Sequence, residues 1–204
     1  MTQLENIKDL WKQQETENIR YSKNELQGMM VQRSSSVVKW ILIISILEFI
    51  LPNIIFLVTD FEASREFNEK YGLTNMVNVY LGIHIMIILG FIYVFYRNYR
   101  NISVDTSVKM LMHHIITTRK TVKYYIYYNL TIAAVIGFHM FYEVFNSKAF
   151  LSTLPEKTNL ALIWIISSVL FVLVLVLLWG IYKLVFGFFL KKLNRNYQEL
   201  EQVE

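Results

Sequence analysis

Residues 160–190 read LALIWIISSVLFVLVLVLLWGIYKLVFGFFL, a stretch in which Lys183 is the one charged side chain. A transmembrane helix needs about 20 consecutive apolar residues to cross about 30 Å of hydrocarbon. A helix in the core of a soluble protein is rarely so long and so apolar. The stretch therefore predicts a transmembrane helix.

Three further apolar runs precede it, at residues 40–59, 76–96 and 124–145. Each exceeds the roughly 18 residues that identify a candidate span. Because lipid offers no partners to backbone N–H and C=O groups, each run is predicted to be helical. The predicted fold class is all-α, a polytopic membrane protein with four transmembrane helices.

Lysines and arginines fall on alternate sides of these runs. Sixteen of the twenty lie before the first run, between the second and third, or at the end of the fourth and beyond it. The two remaining loops hold four, so the positive-inside rule predicts that both termini are cytoplasmic (N-in/C-in). The net charge of +4 then suits an anionic inner leaflet and does not indicate nucleic-acid binding.

The predicted organisation has nine segments along the chain. They are cytoplasmic amphipathic helices at residues 1–39, a first span at 40–59, an outer loop at 60–75, a second span at 76–96, a cytoplasmic helical connection at 97–123, a third span at 124–145, an outer loop at 146–159, a fourth span at 160–190 and a cytoplasmic tail at 191–204. The acidic outer loop at 60–75 is predicted to contain a small helix.

The connection at residues 97–123 carries apolar side chains at helical spacing. Ser103 or Asp105 is predicted to cap this helix, and no proline or glycine interrupts its path into the third span. We therefore expect a third helix that extends into the cytoplasm and packs against the N-terminal helices. The alternative is a kink near Thr117 and Thr118, with the segment lying on the membrane.

The N-terminal segment carries one short apolar stripe, formed by Leu4, Ile7, Leu10 and Trp11. The stripe has three interpretations: packing on this protein's own cytoplasmic helices, contact with the lipid interface, or anchoring of a partner protein. A second helix, containing residues 26–33, is expected to run directly into the first span.

Three ionisable residues, Glu48, His84 and His139, lie at bilayer depth within the predicted spans, and Glu143 lies near His139 towards the outer face. Such residues are costly in lipid and are functional candidates by default. The depths of Glu48 and His84 allow a hydrogen bond between them, and His139 and Glu143 are one helical turn apart. They form either a proton or cation path or a set of polar contacts that hold the helices together.

Other site chemistry is absent from the sequence. The chain has no cysteine, so thiolate metal sites and cysteine nucleophiles are excluded. Its four histidines, at positions 84, 113, 114 and 139, match no metal-binding spacing, and no catalytic or phosphate-binding motif is present. We predict no enzyme activity, no cofactor and no metal.

Two stretches carry a resemblance to a known group of proteins. Residues 4–14, LENIKDLWKQQ, resemble the "LK-x-LW-x-x-Q" start of small four-helix membrane proteins of Bacteroidota. Residues 102–109, ISVDTSVK, and 118–125, TRKTVKYY, resemble their cytoplasmic loop and the entry to their third span. Those proteins are commonly encoded beside extracytoplasmic-function sigma factors, so the resemblance implies an anti-sigma factor of the bacterial inner membrane.

Residues and resemblance together predict a membrane-anchored regulatory protein that binds a cytoplasmic sigma factor through Leu4, Ile7, Leu10 and Trp11. Known anti-sigma factors use a longer cytoplasmic domain than the segment before the first span, so helix 100–123 is expected to contribute to the surface. The alternative function is a small proton- or cation-coupled transporter that uses Glu48 and His84. The expected surroundings are a lipid bilayer without direct nucleic-acid contact, and a homo-oligomer remains open.

Overall fold

The computed structural model describes residues 23–58, 61–104 and 107–201, which are almost entirely helical. The helices are α1 (Lys23–Val58), α2 (Phe61–Lys70), α3 (Thr74–Val104), α4 (Val108–Asn146), α5 (Lys148–Leu151) and α6 (Leu160–Glu201). Within these ranges there is no β-strand. The predicted all-α class is confirmed, and so is the small helix expected between the first two apolar runs, which is α2.

Within the described ranges, three segments are long and apolar enough to cross a membrane: Gln27–Ile54, Thr74–Ser103 and Leu160–Glu201. They indicate a membrane-spanning helical protein. The predicted third span lies within α4, which is not among these three. Its many tyrosines, together with Asn129 and Glu143, lower its mean hydropathy, so a fourth span stays a prediction.

The four long helices form an up-and-down bundle in which α1, α3, α4 and α6 follow one another around a ring. Each neighbouring pair is antiparallel: as the residue number increases along one helix, the residue number of its contacts on the next helix decreases. Ser34 and Glu48 of α1, for example, bond Asn196 and Tyr182 of α6, respectively. Sequential neighbours with short connections are the simplest way to close such a bundle.

Most of the apolar core lies at one end of the bundle. This basic end consists of the N-terminal halves of α1 and α4 and the C-terminal halves of α3 and α6, where most lysines and arginines are found. Its buried apolar side chains are Met30, Val37, Val38, Ile41, Ile88, Phe95, Ile102, Leu111, Ile115, Val122, Tyr125, Phe186, Leu193 and Leu200. The opposite end, which carries α2 and α5, is called the loop end below.

Helix α4 runs without interruption through Thr117 and Thr118, whose hydroxyls donate to the carbonyls one turn earlier. The continuous helix expected here is confirmed, but its predicted start is wrong. Residues up to Val104 belong to α3, and α4 begins at Val108 because Ser107 caps it by accepting a hydrogen bond from the Met110 N–H at 3.2 Å. Likewise, α1 continues from its first described turn directly into the first apolar run.

Candidate functional site

Glu48 lies on α1 where the packed core ends, and two tyrosines from different helices bind its carboxyl group. The Tyr125 hydroxyl of α4 donates to Oε2 at 2.7 Å, and the Tyr182 hydroxyl of α6 donates to Oε1. Three helices thus meet at one carboxyl group. The arrangement satisfies one acceptor site on each oxygen and leaves further lone pairs available.

Aromatic packing fixes the position of Tyr125. Its fully buried ring lies edge-to-face or tilted against Phe91, Phe95 and Phe186, at centroid distances of 5.3, 5.5 and 5.7 Å. These are favourable geometries for aromatic pairs. The ring therefore holds the Tyr125 hydroxyl at the edge of the apolar core, where it bonds Glu48.

His84 of α3 is positioned by Tyr128 of α4. The Nδ1 atom lies 3.2 Å from the Tyr128 hydroxyl, and the two rings are stacked. The hydrogen bond between Glu48 and His84 that their depths allow does not form. The structure brings both residues to one cavity, but Glu48 bonds Tyr125 and Tyr182 whereas His84 bonds Tyr128.

His139 and Glu143 form a separate contact nearer the loop end. The His139 Nε2 and Glu143 Oε1 atoms are 3.6 Å apart, as their spacing on one helix predicts. Nδ1 of the same histidine is 3.4 Å from the Tyr80 hydroxyl. Neither His139 nor Glu143 lines the cavity at Glu48, so the four residues fall into two separate clusters.

A cavity of about 840 Å³ extends from the Glu48 cluster to α2. The lower end of the cavity, nearer the basic end, is formed by Glu48, Ile88, Tyr125 and Tyr182. Its upper end, nearer the loop end, is formed by Ser64, Arg65 and Asn68 of α2. The walls between are mostly apolar: Phe49, Val77, Leu81, Ile85, Ile132, Ala133, Ile136 and Leu178. Polar side chains, among them Asn53, Thr74 and Asn78, also line the cavity, and its volume is in the range of small-molecule sites.

Pro52 leaves a second hydrogen-bond acceptor free at Glu48, the main-chain carbonyl of that residue. The proline lies four residues after Glu48 within α1 and has no N–H, so the Glu48 carbonyl lacks its usual helical donor. Asn129, which is buried and lines the same cavity, uses its amide nitrogen to donate to the Tyr125 carbonyl at 3.0 Å. The lower end of the cavity is therefore rich in acceptors.

The basic end is the second candidate site, and it is closely packed. Asn196 of α6 donates to Ser34 of α1 at 3.1 Å in its interior. At the surface, Glu199 Oε1 accepts a hydrogen bond from Arg195 Nε at 2.7 Å. Its Oε2 atom lies 3.6 Å from Nη1 of Arg33 on α1. These contacts join α1 to α6 beyond the apolar runs.

Several predicted site residues have no structural test. Leu4, Ile7, Leu10 and Trp11 lie outside the described residues. Among the residues that are described, no group of His, Asp or Glu side chains is arranged to hold a metal ion.

Sequence reasoning did not identify Tyr125 and Tyr182 as partners of Glu48. Tyr125 stands at the start of the third apolar run, and Tyr182 stands inside the fourth. A hydroxyl inside an otherwise apolar helix, at the depth of a buried carboxyl group, is the signal that points to such a pair.

Comparison with known proteins gives one match. A family model described as "Domain of unknown function (DUF8845)" matches residues 24–204. No curated protein and no solved structure matches the chain.

Proposed function

We propose that this chain, which belongs to the DUF8845 family, is a membrane-anchored regulatory protein that binds a cytoplasmic protein partner. In this proposal α1, α3, α4 and α6 all span the bacterial inner membrane, and both termini are cytoplasmic. The charge distribution supports this orientation, because the basic end carries most lysines and arginines.

The observation that carries the proposal is the packed body at the basic end. Residues 108–123 of α4 continue for roughly 24 Å beyond the third apolar run at about 1.5 Å per residue. Leu111, Ile115 and Thr118 on this segment are fully buried. This helical body outside the apolar runs offers the surface that we propose for a protein partner.

A sigma factor is the partner that we propose, on the basis of the resemblance to proteins encoded beside sigma factors. The stripe of Leu4, Ile7, Leu10 and Trp11 precedes α1, whose first turns belong to the basic end. The stripe and the exposed side of residues 108–123 would then form one surface. A combined surface removes the need for a long cytoplasmic domain.

Affinity capture tests this proposal. The full-length protein would be captured from its native host in parallel with Trp11→Ala and with Trp179→Ala, a control that changes an exposed tryptophan within α6. We expect a sigma factor with the wild type and with Trp179→Ala, and its loss with Trp11→Ala. Equal recovery from all three, or no sigma factor from any, would refute the proposed partner or contact surface.

A proton- or cation-coupled transporter is the second candidate, because Glu48 and His84 line the same cavity. The cavity ends at the Glu48 cluster, however, and fully buried Ile41, Phe95 and Val122 fill the bundle below it. Proton flux into vesicles separates the candidates. Glu48→Gln would abolish flux if the protein is a transporter, whereas Trp11→Ala would not change it.

A further inference from the structure

The cavity between Glu48 and α2 has a definite chemical character. We infer that it binds an amphipathic organic molecule that carries a protonated amine, with the amine at Glu48 and the apolar body along the cavity walls. Binding at this site does not require the cytoplasmic partner proposed above, so the two proposals fail or succeed separately.

The charge of the ligand follows from the groups at the lower end of the cavity. Glu48 is partly exposed to it, and each carboxyl oxygen retains acceptor capacity beyond its tyrosine bond. The carbonyl left without a donor by Pro52 adds to this capacity. An ammonium group offers three donors and a positive charge, and charge-assisted bonds are the stronger class.

No protein cation occupies this position among the described residues. Arg65 and His84 are the basic side chains that line the cavity. Arg65 lies at the far end and pairs with Glu69 at 3.4 Å, while His84 bonds Tyr128. The carboxyl group of Glu48 is therefore left to a cation from outside the chain.

The size of the cavity excludes a monatomic ion as its full occupant. A volume of about 840 Å³ falls in the range of sites for drug-sized molecules, which is about 300 to 1,000 Å³. Phe49, Leu81 and Ile136 line the space above the carboxyl group. Burial of an apolar body against these side chains is favourable in proportion to the area removed from water.

A matched pair of probes tests the inference. We would titrate 2-(1-naphthyl)ethylamine and 2-(1-naphthyl)ethanol, which have the same shape, into the full-length protein in nanodiscs of neutral lipid. Calorimetry against empty nanodiscs removes the contribution of partition into the bilayer. We expect saturable binding of the amine, at least about tenfold tighter than that of the alcohol.

Three variants locate the binding site. Glu48→Gln removes the charge and is expected to weaken amine binding at least about tenfold while leaving alcohol binding unchanged. Ala133→Phe fills the cavity without touching Glu48 and should weaken both probes. Glu143→Gln changes a carboxyl group on α4 that does not line the cavity, and binding should match the wild type.

Other results would overturn the inference. Equal affinity for amine and alcohol, or amine binding that Glu48→Gln leaves unchanged, would overturn the assignment of a cationic ligand. Heat that matches empty nanodiscs would show partition into lipid alone and overturn the site itself. A cooperative unfolding transition in every variant confirms that a loss of binding is not a loss of fold.

Discussion

Glu48 is held by two hydroxyl groups that come from the neighbouring helices α4 and α6. We predict that Tyr125→Phe and Tyr182→Phe each lower the free energy of unfolding by about 1–3 kcal/mol, because each leaves a carboxyl oxygen without its donor. Tyr127→Phe, at an exposed position on α4, should change it by less than about 0.5 kcal/mol. Reversible unfolding in detergent measures the three values.

A double-mutant cycle provides the control for this prediction. In a Glu48→Leu background the carboxyl acceptor is gone, so Tyr182→Phe should have a smaller effect than in the wild type. An undiminished effect would mean that the Tyr182 hydroxyl stabilises the bundle through a group other than Glu48.

Asn98 of α3 provides a second test at the scale of one side chain. It is buried at the basic end, and its amide nitrogen has no hydrogen-bond partner. A buried donor without a partner costs about 1–3 kcal/mol, so Asn98→Leu is expected to raise the unfolding temperature. Asn196→Leu is the matched control and should lower it, because Asn196 bonds Ser34. A lower unfolding temperature for Asn98→Leu would contradict the prediction.

Helices α4 and α6 approach closely at Gly137. A Cβ atom at this position would lie 2.4 Å from the ring of Phe171, so the ring would have to move. We predict that Gly137→Ala lowers stability by about 1–3 kcal/mol, the usual cost of overpacking, and that Phe171→Leu in the same chain restores part of it. Gly180→Ala, where a Cβ meets no atom within 4 Å, should be tolerated. Thermal unfolding compares the variants, and equal midpoints for the two alanine variants would refute the close approach.

The helices themselves were largely predictable, because apolar run length and helical spacing act over many residues. The connection between α3 and α4 was not predictable in the same way. Ser103, Asp105 and Ser107 lie within five positions of one another, and each has a side chain that favours a helix N-cap. Local preference does not choose among them. The choice of Ser107 aligns Leu111, Ile115 and Thr118 with the core, which is a tertiary effect.

In the whole molecule, the apolar core and the cavity occupy different ends of one bundle. Part of the cavity could be predicted, because the sequence indicates that Glu48 and His84 lie at similar depth. Their hydrogen-bond partners depend on how the helices rotate about their axes, which spacing along one helix does not determine. The pairing of Glu48 with Tyr182, far apart in the chain, required the structure.

The proposed orientation is testable because the chain has no cysteine, so single cysteines can be introduced without background. We predict that a membrane-impermeant thiol reagent labels Glu66→Cys, on α2, from outside spheroplasts. The reagent should label Lys120→Cys, on α4, only after the membrane is opened. Labelling of both positions from the same side would contradict the proposed orientation and four-span arrangement.

The same cysteine-free background can locate the proposed sigma-factor partner. A thiol-reactive photocrosslinker at Lys120→Cys, at the basic end, and at Glu66→Cys, at the loop end, would be activated in the native host and the products identified by mass spectrometry. We predict that a sigma factor is crosslinked at position 120 and not at position 66, and that Trp11→Ala removes the product. Absence of a sigma factor at position 120 would contradict this prediction.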